Sequence, residues 1–396
     1  MKRDVETLAA FGTRHTLSDT ASPTRGIGAA RSWVFAELQR AAAGTRMRAE
    51  LEPHTQPADG KRILHDVEVT DVVAVLPGVM PEAATRHYYV VGHYDSRTTD
   101  VMDATNDAPG ANDDASGVAV VLELARAMAG QRFDATLVFL ATAGEEQGLY
   151  GAKLRARVAK DAGEDVRAVL NDDIVGDPAG GDARTIRVFS EGLPSAPMDG
   201  GLDEVRRLGS ESDSPSRELA RFVVDVADSA RVAMRPRLVF RADRFLRGGD
   251  HLAFAELGFP AVRFTTPAES YERQHSPGDV PSFVSGEYIA DVARLEVEVL
   301  ARLADAPAPP DDVRIITADL ANDTLLRWSP CREPDVAGYE VVWRDTTSST
   351  WQGSKNVGAV LEARLPMSKD DLFFGVRAYD KGGLRSPVSF AKAARI

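Results

Sequence analysis

The chain has 396 residues, 43% of them hydrophobic and 27% charged, a globular composition that excludes a disordered, collagen-like or disulfide-built chain. With 47 Lys and Arg against 60 Asp and Glu the net charge is −13, which argues against nucleic acid as the main partner, since phosphate binding needs a basic face. The same balance leaves many carboxylates to hold cations, and the single cysteine, Cys331, forms no intrachain disulfide.

At roughly 150 residues per domain the length suits two or three domains. The start, Met1-Lys2-Arg3-Asp4, lacks the apolar stretch of a signal peptide, and the longest apolar runs, such as Val118 to Leu122, are too short to span a bilayer. From Gly26 to Ala43, Ile27, Trp33, Val34 and Leu38 share a helical face. Val67–Leu76 and His87–Val91 read as strands, and Ser116–Met128 as an apolar helix stopped by Gly130. Ala135–Ala141, Arg167–Leu170 and Ala261–Thr265 are further strands, and Glu218–Ala230 is an amphipathic helix. Fully apolar strands alternating with helices predict an α/β unit with a mixed, mostly parallel sheet covered on both faces. Between them, Gly180 to Ser216 is rich in Gly, Asp and Arg and reads either as a lid or as a surface insertion. The expected division is a catalytic domain over 1–303, a Pro/Ala/Asp linker over 304–312 and an all-β, immunoglobulin-like sandwich over 313–396.

Polar clusters follow or precede these elements. They are Gly92-His93-Tyr94-Asp95-Ser96, Asn112-Asp113-Asp114, Gly144-Glu145-Glu146-Gln147, Asn171-Asp172-Asp173 and Gln274-His275-Ser276-Pro277-Gly278-Asp279. In open α/β sheets the ligand crevice lies beyond the carboxyl ends of the strands, so five such clusters converge on one rim. Imidazole plus carboxylate without thiolate suits Zn²⁺, or Mn²⁺ and Co²⁺. Gathering four or five carboxylates without a cation would cost several kcal/mol each or force protonation. Taken singly, each residue has a bland reading. Asp113 and Asp114 suit helix caps, Asp95 a turn, Glu145 and Glu146 an exposed first helical turn, and His275 a surface loop. His15, His54, His65 and His87 lack acidic partners at strand ends and read as structural. Joint occurrence at strand ends favours the functional reading.

These clusters, in this order, closely resemble metallopeptidase family 28, the bacterial leucyl-type aminopeptidases and their carboxypeptidase relatives. Asp113 follows His93 by 20 residues and Asp173 follows Glu146 by 27, spacings such enzymes share. The resemblance implies a zinc-exopeptidase fold, also called phosphorylase/hydrolase-like, over the first 303 residues. It implies two Zn²⁺ ions bridged by Asp113, with His93 and Asp173 completing one and Glu146 and His275 the other. Asp95 would orient His93, Glu145 would be the general base, and the Asp113–Asp114 peptide would be cis. Asp250-His251 matches a recurrent pair, read as pocket wall.

The expected activity is removal of residues from peptide or protein N-termini. A carboxypeptidase or dipeptidase, or a catalytically inactive binding protein, are the alternatives. Arg241, Asp243, Arg244 and Arg247 read either as an anion-recognising group or as an ion-pair set near the rim. Residues 311–396 resemble a fibronectin type III domain through Leu325-Leu326-Arg327-Trp328, Tyr339-Glu340-Val341 and Val376-Arg377-Ala378, with Leu372 where a corner tyrosine often stands. Trp328 would be the core tryptophan; Trp343 and Trp351 read either as contacts to a ligand or partner or, more often in such sheets, as cross-strand packing. Such modules favour a secreted or periplasmic enzyme. A monomer without nucleic-acid partner or membrane span is expected.

Overall fold

In the computed structural model, which describes residues 1–193, 201–318 and 321–395, eight strands form one mixed sheet. They are β1 (Arg48–Gln56), β2 (Val67–Leu76), β3 (Arg86–His93), β4 (Thr136–Thr142), β5 (Asp165–Asp172), β6 (Thr185–Ser190), β7 (Arg235–Val239) and β8 (Ala261–Thr265). Their order is β1-β2-β4-β3-β5-β8-β6-β7. The central strands β4, β3, β5 and β8 run parallel, while β2 and β6 flank them antiparallel.

Successive residues of the central strands point to opposite faces, and both faces are dry. Val90, Phe139, Leu170 and Phe264 belong to one core, Val91, Val138, Leu140 and Val169 to the other. This explains why the strands read as continuous apolar runs. The first face is covered by α1 (Lys2–Ala9), α2 (Gly26–Ala42), α3 (Ala115–Met128), α7 (Pro215–Ala230) and α9 (Gly286–Asp305). The second is covered by α5 (Tyr150–Asp161) and α8 (His251–Ala255). The remaining helices, α4 (Glu145–Gly148) and α6 (Gly201–Leu208), lie in connections. α3 and β3 touch through glycines: a Cβ on Gly92 would stand 2.8 Å from the carbonyl carbon of Gly117. That contact seats the start of α3 directly against the end of β3.

The C-terminal unit packs two four-stranded sheets face to face. One is β9 (Arg314–Ile316), β10 (Thr324–Arg327), β13 (Glu362–Leu365) and β16 (Lys392–Ala394). The other is β11 (Val336–Asp345), β12 (Gly353–Gly358), β14 (Leu372–Asp380) and β15 (Ser389–Phe390). All pairings are antiparallel except β9 with β16. Trp328, Tyr339, Val341, Val376 and Ala378 meet in its core.

Strand direction decides where everything else sits. Because β6 is antiparallel to β8, it ends at the amino-terminal end of the central strands. Residues 191–193 therefore emerge at the end of the sheet opposite the polar clusters. Of the two readings of Gly180 to Ser216, the described residues favour a surface insertion: among them only the first lie at the rim, and residues 194–200 lie outside the described chain. The sandwich docks at the same far end. Arg86, opening β3, donates to Ala306 O and lies 3.5 Å from Glu333. Arg344 pairs with Asp213, Arg221 donates to Ser349 O, and Arg377 lies 3.3 Å from Asp225. Trp351, rather than packing only within the sandwich, donates from Nε1 to Glu218 on α7, which also accepts from Val388 N. A cavity of about 1230 Å³ lies in this seam, lined by Leu208, Phe259, Phe373 and Phe390. It is remote from the polar rim.

Burial pushes the Glu218 carboxyl up to about 7, against the opposing pull of Arg221 and its two N–H donors. Between the ordinary glutamate range and pH 7 the folded chain holds a proton that the unfolded chain has lost. Stability then falls as pH rises through that window, by about 3 kcal/mol in all. Glu218→Gln should match the native chain in thermal melts at pH 5 and melt higher at pH 8. An equal difference at both pH values would refute the assignment.

Candidate metal centre

All five clusters meet beyond the carboxyl ends of β3, β4, β5 and β8. His93 closes β3, Glu145 and Glu146 open α4 just after β4, Asp173 follows β5, and His275 lies in the loop after β8. Asp113 precedes α3, and the Asp113–Asp114 peptide is cis. The next residue, Asp114, caps α3 by accepting from Gly117 N, and its carboxylate also accepts from His93 N and Ile174 N. One buried carboxylate thus ties three of the converging segments together.

Asp113 presents one oxygen to each histidine. Its Oδ1 lies 3.3 Å from His93 Nε2 and its Oδ2 lies 3.1 Å from His275 Nε2. His275 Nε2 is also 3.3 Å from Glu146 Oε2, and His93 Nε2 is 4.0 Å from Asp173 Oδ1. Two donor sets result, His93 with Glu145 and Asp173, and Asp113 with Glu146 and His275; within each, the donor atoms lie within 4.8 Å of one another. Burial opposes charge on His93, yet Glu145, Asp113 and Asp95 raise it well above the ordinary imidazole range. His275 is likewise lifted to about 9 against burial, by Glu146 and Asp113. Burial would raise Asp113, and the two imidazoles instead hold it well below the usual carboxylate range. Burial, reinforced by Glu146 and Asp173, pushes Glu145 up despite His93. The cluster has more acid than it can ionise without cations.

The donors fit divalent metal. Both imidazoles and the carboxylates are borderline-to-hard ligands of the kind zinc accepts. His93 Nε2 and Glu146 Oε1 are buried without a hydrogen-bond partner among the described residues, and a cation would satisfy both.

Supporting residues act through the backbone. His93 Nδ1 faces Asp95, 3.2 Å from its main-chain oxygen and 3.5 Å from Oδ1, which turns Nε2 into the crevice. The Asp95 carboxylate has a second task that its position after His93 did not suggest: it accepts from Glu145 N and Glu146 N, each at 3.2 Å. Asp279 does the same for Asn112 N and Asp113 N, both at 2.9 Å. Asp250 lies beneath the site against Thr142, and burial pushes it up to about 7. His251 is held by Ala242 O and Asn171, with burial pushing it down to about 4. Of the two readings of the Arg241–Arg247 stretch, ion pairing describes Arg244 and Arg247: both contact Glu269, at 2.6 and 3.1 Å, as does Arg187 at 2.7 Å. Arg241 instead stacks over the exposed Phe245 ring.

The sequence assigns no role to Arg263, Arg97 or Gln274. Arg263 Nη2 lies 2.9 Å from Asp173 Oδ1, Arg97 Nε 2.8 Å from Glu146 Oε2, and Gln274 Nε2 donates to Asp113 Oδ2 at 2.7 Å. A lone arginine inside Ala261-Val262-Arg263-Phe264-Thr265 was the available signal, since a charge in a buried strand must be paired.

The fold is shared with enzymes of known structure. The LapA aminopeptidase of Legionella pneumophila superposes with TM-score 0.55 at 18% identity, covering 76% of this chain and 70% of that one. Glutaminyl cyclase of Porphyromonas gingivalis gives 0.55 and 18%, covering 76% and 96%. These define the class of fold, an α/β sheet with its crevice at the strand ends. The family follows from sequence: the model described as peptidase family M28 matches residues 71–300. A probable zinc metalloprotease of Leptosphaeria maculans is 45% identical over 97% of this chain and 92% of its own length. One from Pyricularia oryzae is 44% identical over 97% and 80%. The chain belongs to peptidase family M28. Both sequence relatives are fungal.

Asp95→Ala would leave two N–H groups at the start of α4 without their acceptor, a loss of about 1–3 kcal/mol. Thermal melts should fall accordingly, and zinc affinity measured by competition with a chromophoric chelator should weaken. Unchanged melting would show that the Glu145–Glu146 turn holds without Asp95.

Proposed function

We propose that the chain is a zinc-dependent aminopeptidase using two ions. The reading is carried by Asp113, whose two oxygens face His93 and His275 separately, with Glu145 half-buried beside them. Family membership, the names of the fungal relatives and the fold shared with an aminopeptidase support it.

His93 and Asp173 would hold one ion, Glu146 and His275 the other, with Asp113 between them. Bound zinc supplies Lewis acidity and lowers the pKa of water. The rest falls to the chain. Glu145 takes the proton of the attacking water and returns it to the departing amine. Asp95 holds Glu145 and Glu146 in place through their N–H groups, and Asp279 holds the Asp113 backbone.

One observation favours the dipeptidase alternative: Arg97, beside Glu146, is a cation placed to meet a substrate carboxylate. The sandwich, with its fibronectin type III resemblance, supports an exported enzyme, and none of the described helices is long and apolar enough to cross a membrane.

A panel of unblocked and N-acetylated amino-acid anilides, with and without chelator, tests the reading. Chelator-sensitive, zinc-restored release from unblocked substrates alone is expected. Activity confined to dipeptides with a free carboxylate would establish the alternative instead. Glu145→Ala should lower kcat by about 10²–10⁴-fold. Its zinc content by mass spectrometry should stay that of the native chain; loss of metal would make Glu145 a ligand.

A further inference from the structure

Arg263 sits in the middle of β8 with no exposed surface, and its guanidinium is fixed on three sides. Nη2 lies 2.9 Å from Asp173 Oδ1, Nη1 lies 3.1 Å from Asp243 Oδ2, and Nη1 donates to Gly248 O at 2.6 Å. The Asp173 oxygen it holds is the one nearest His93, 4.0 Å from Nε2. A cation taking that oxygen shares it with a permanent positive charge, and one taking Asp173 Oδ2 still lies across the same carboxylate from it. Arginine does not deprotonate in proteins, and repulsion between like charges is strong where water is excluded. Nor can this side chain readily withdraw, because its backbone is a central strand and Nη1 is held by both Asp243 and Gly248 O.

The second donor set differs. Its neighbouring cation, Arg97, keeps 14% of its side chain exposed, and its ion pair among the described residues is with Glu146. It leaves a loop rather than a strand, with solvent open to it. Glu146 also keeps Oε1 buried and unpartnered, an oxygen that no guanidinium holds. One donor set is therefore burdened by a fixed charge and the other by a displaceable one.

We propose that Arg263 makes the two metal positions unequal: the ion between His93 and Asp173 exchanges, while the ion on Asp113, Glu146 and His275 stays resident. The inference rests on the two-ion reading of the site. Arg263 acts as a positioning residue, touching Asp173 and not the substrate. The loop it anchors, 241–249, ends at Gly249 beside Asp173 Oδ2, where a Cβ would come within 3.1 Å. Occupancy of the weaker position is thereby tied to the network of Asp243, Arg244 and Glu269.

The test is competition of the zinc-loaded full chain against a chromophoric chelator, with zinc counted by mass spectrometry. The native chain should release its two equivalents in separate steps, with dissociation constants differing by roughly tenfold or more, the scale of effects from residues behind metal ligands. Arg263→Gln removes the charge, while Asp243 keeps Arg244 at 3.0 Å; the weaker constant should tighten by about tenfold and the tighter one stay put. Asp243→Asn removes the carboxylate that competes with Asp173 for the guanidinium, and the weaker constant should loosen further. Opposite signs in the two variants exclude general loosening of the fold, which would weaken binding in both. Should Arg263→Gln fail to fold, the direction of Asp243→Asn still decides, since tightening or no change there overturns the proposal. Equal constants in the native chain, or both variants shifting the same way, would also overturn it. Native protein taking up one equivalent or none would instead overturn the two-ion reading itself.

Discussion

Negative charge crowded at the ends of four parallel strands is the constraint around which this molecule is arranged. Asp113, Glu145, Glu146 and Asp173 come together with His93 and His275 in a crevice where water cannot screen them all. Carboxylates so placed either take protons or take cations. The same acids lift both histidines, in positions where metal would answer the charge. A further circle of acids, Asp95, Asp114 and Asp279, spends its charge on backbone N–H groups. That use fixes the loops on which the donors ride, so the crevice is preorganised by the same residue type that it concentrates.

The sheet separates two jobs by direction. Its carboxyl end carries the chemistry, and its amino end carries the sandwich. Arg86 with Glu333, Arg344 with Asp213, and Trp351 with Glu218 make the seam partly buried and charged. Breaking such contacts would leave unpaired charges in low dielectric, which is costly. The sandwich is thus fastened to the peptidase unit rather than tethered loosely, and it leaves the crevice open to solvent and substrate.

Much of this was legible from residue order. The apolar runs from Tyr88 to Val91 and Leu137 to Leu140 announced buried parallel strands, because each faces a core on both sides. The candidate donors stood out because each cluster follows or precedes such an element. Other features left fainter traces. Arg263 appears in sequence as one charge in an apolar strand, and nothing there says that Asp173 and Asp243 flank it. Lid and surface insertion stayed open for Gly180 to Ser216 because composition says nothing of which end of the sheet the stretch leaves. Trp351 read as strand packing because its partner, Glu218, is 133 residues away.

By itself the sequence determined the local matters: which segments bury both faces, where each strand stops, and which side chains of metal-binding chemistry sit at those stops. Strand periodicity and burial are short-range consequences of residue type, so they can be read without a fold. Only the tertiary structure decided the pairings. Whether Asp113 faces one histidine or two, which oxygen of Asp173 an arginine holds, and which end of the sheet receives the sandwich all depend on strand order and direction. Those are set by the packing of the whole core, and no single segment contains them.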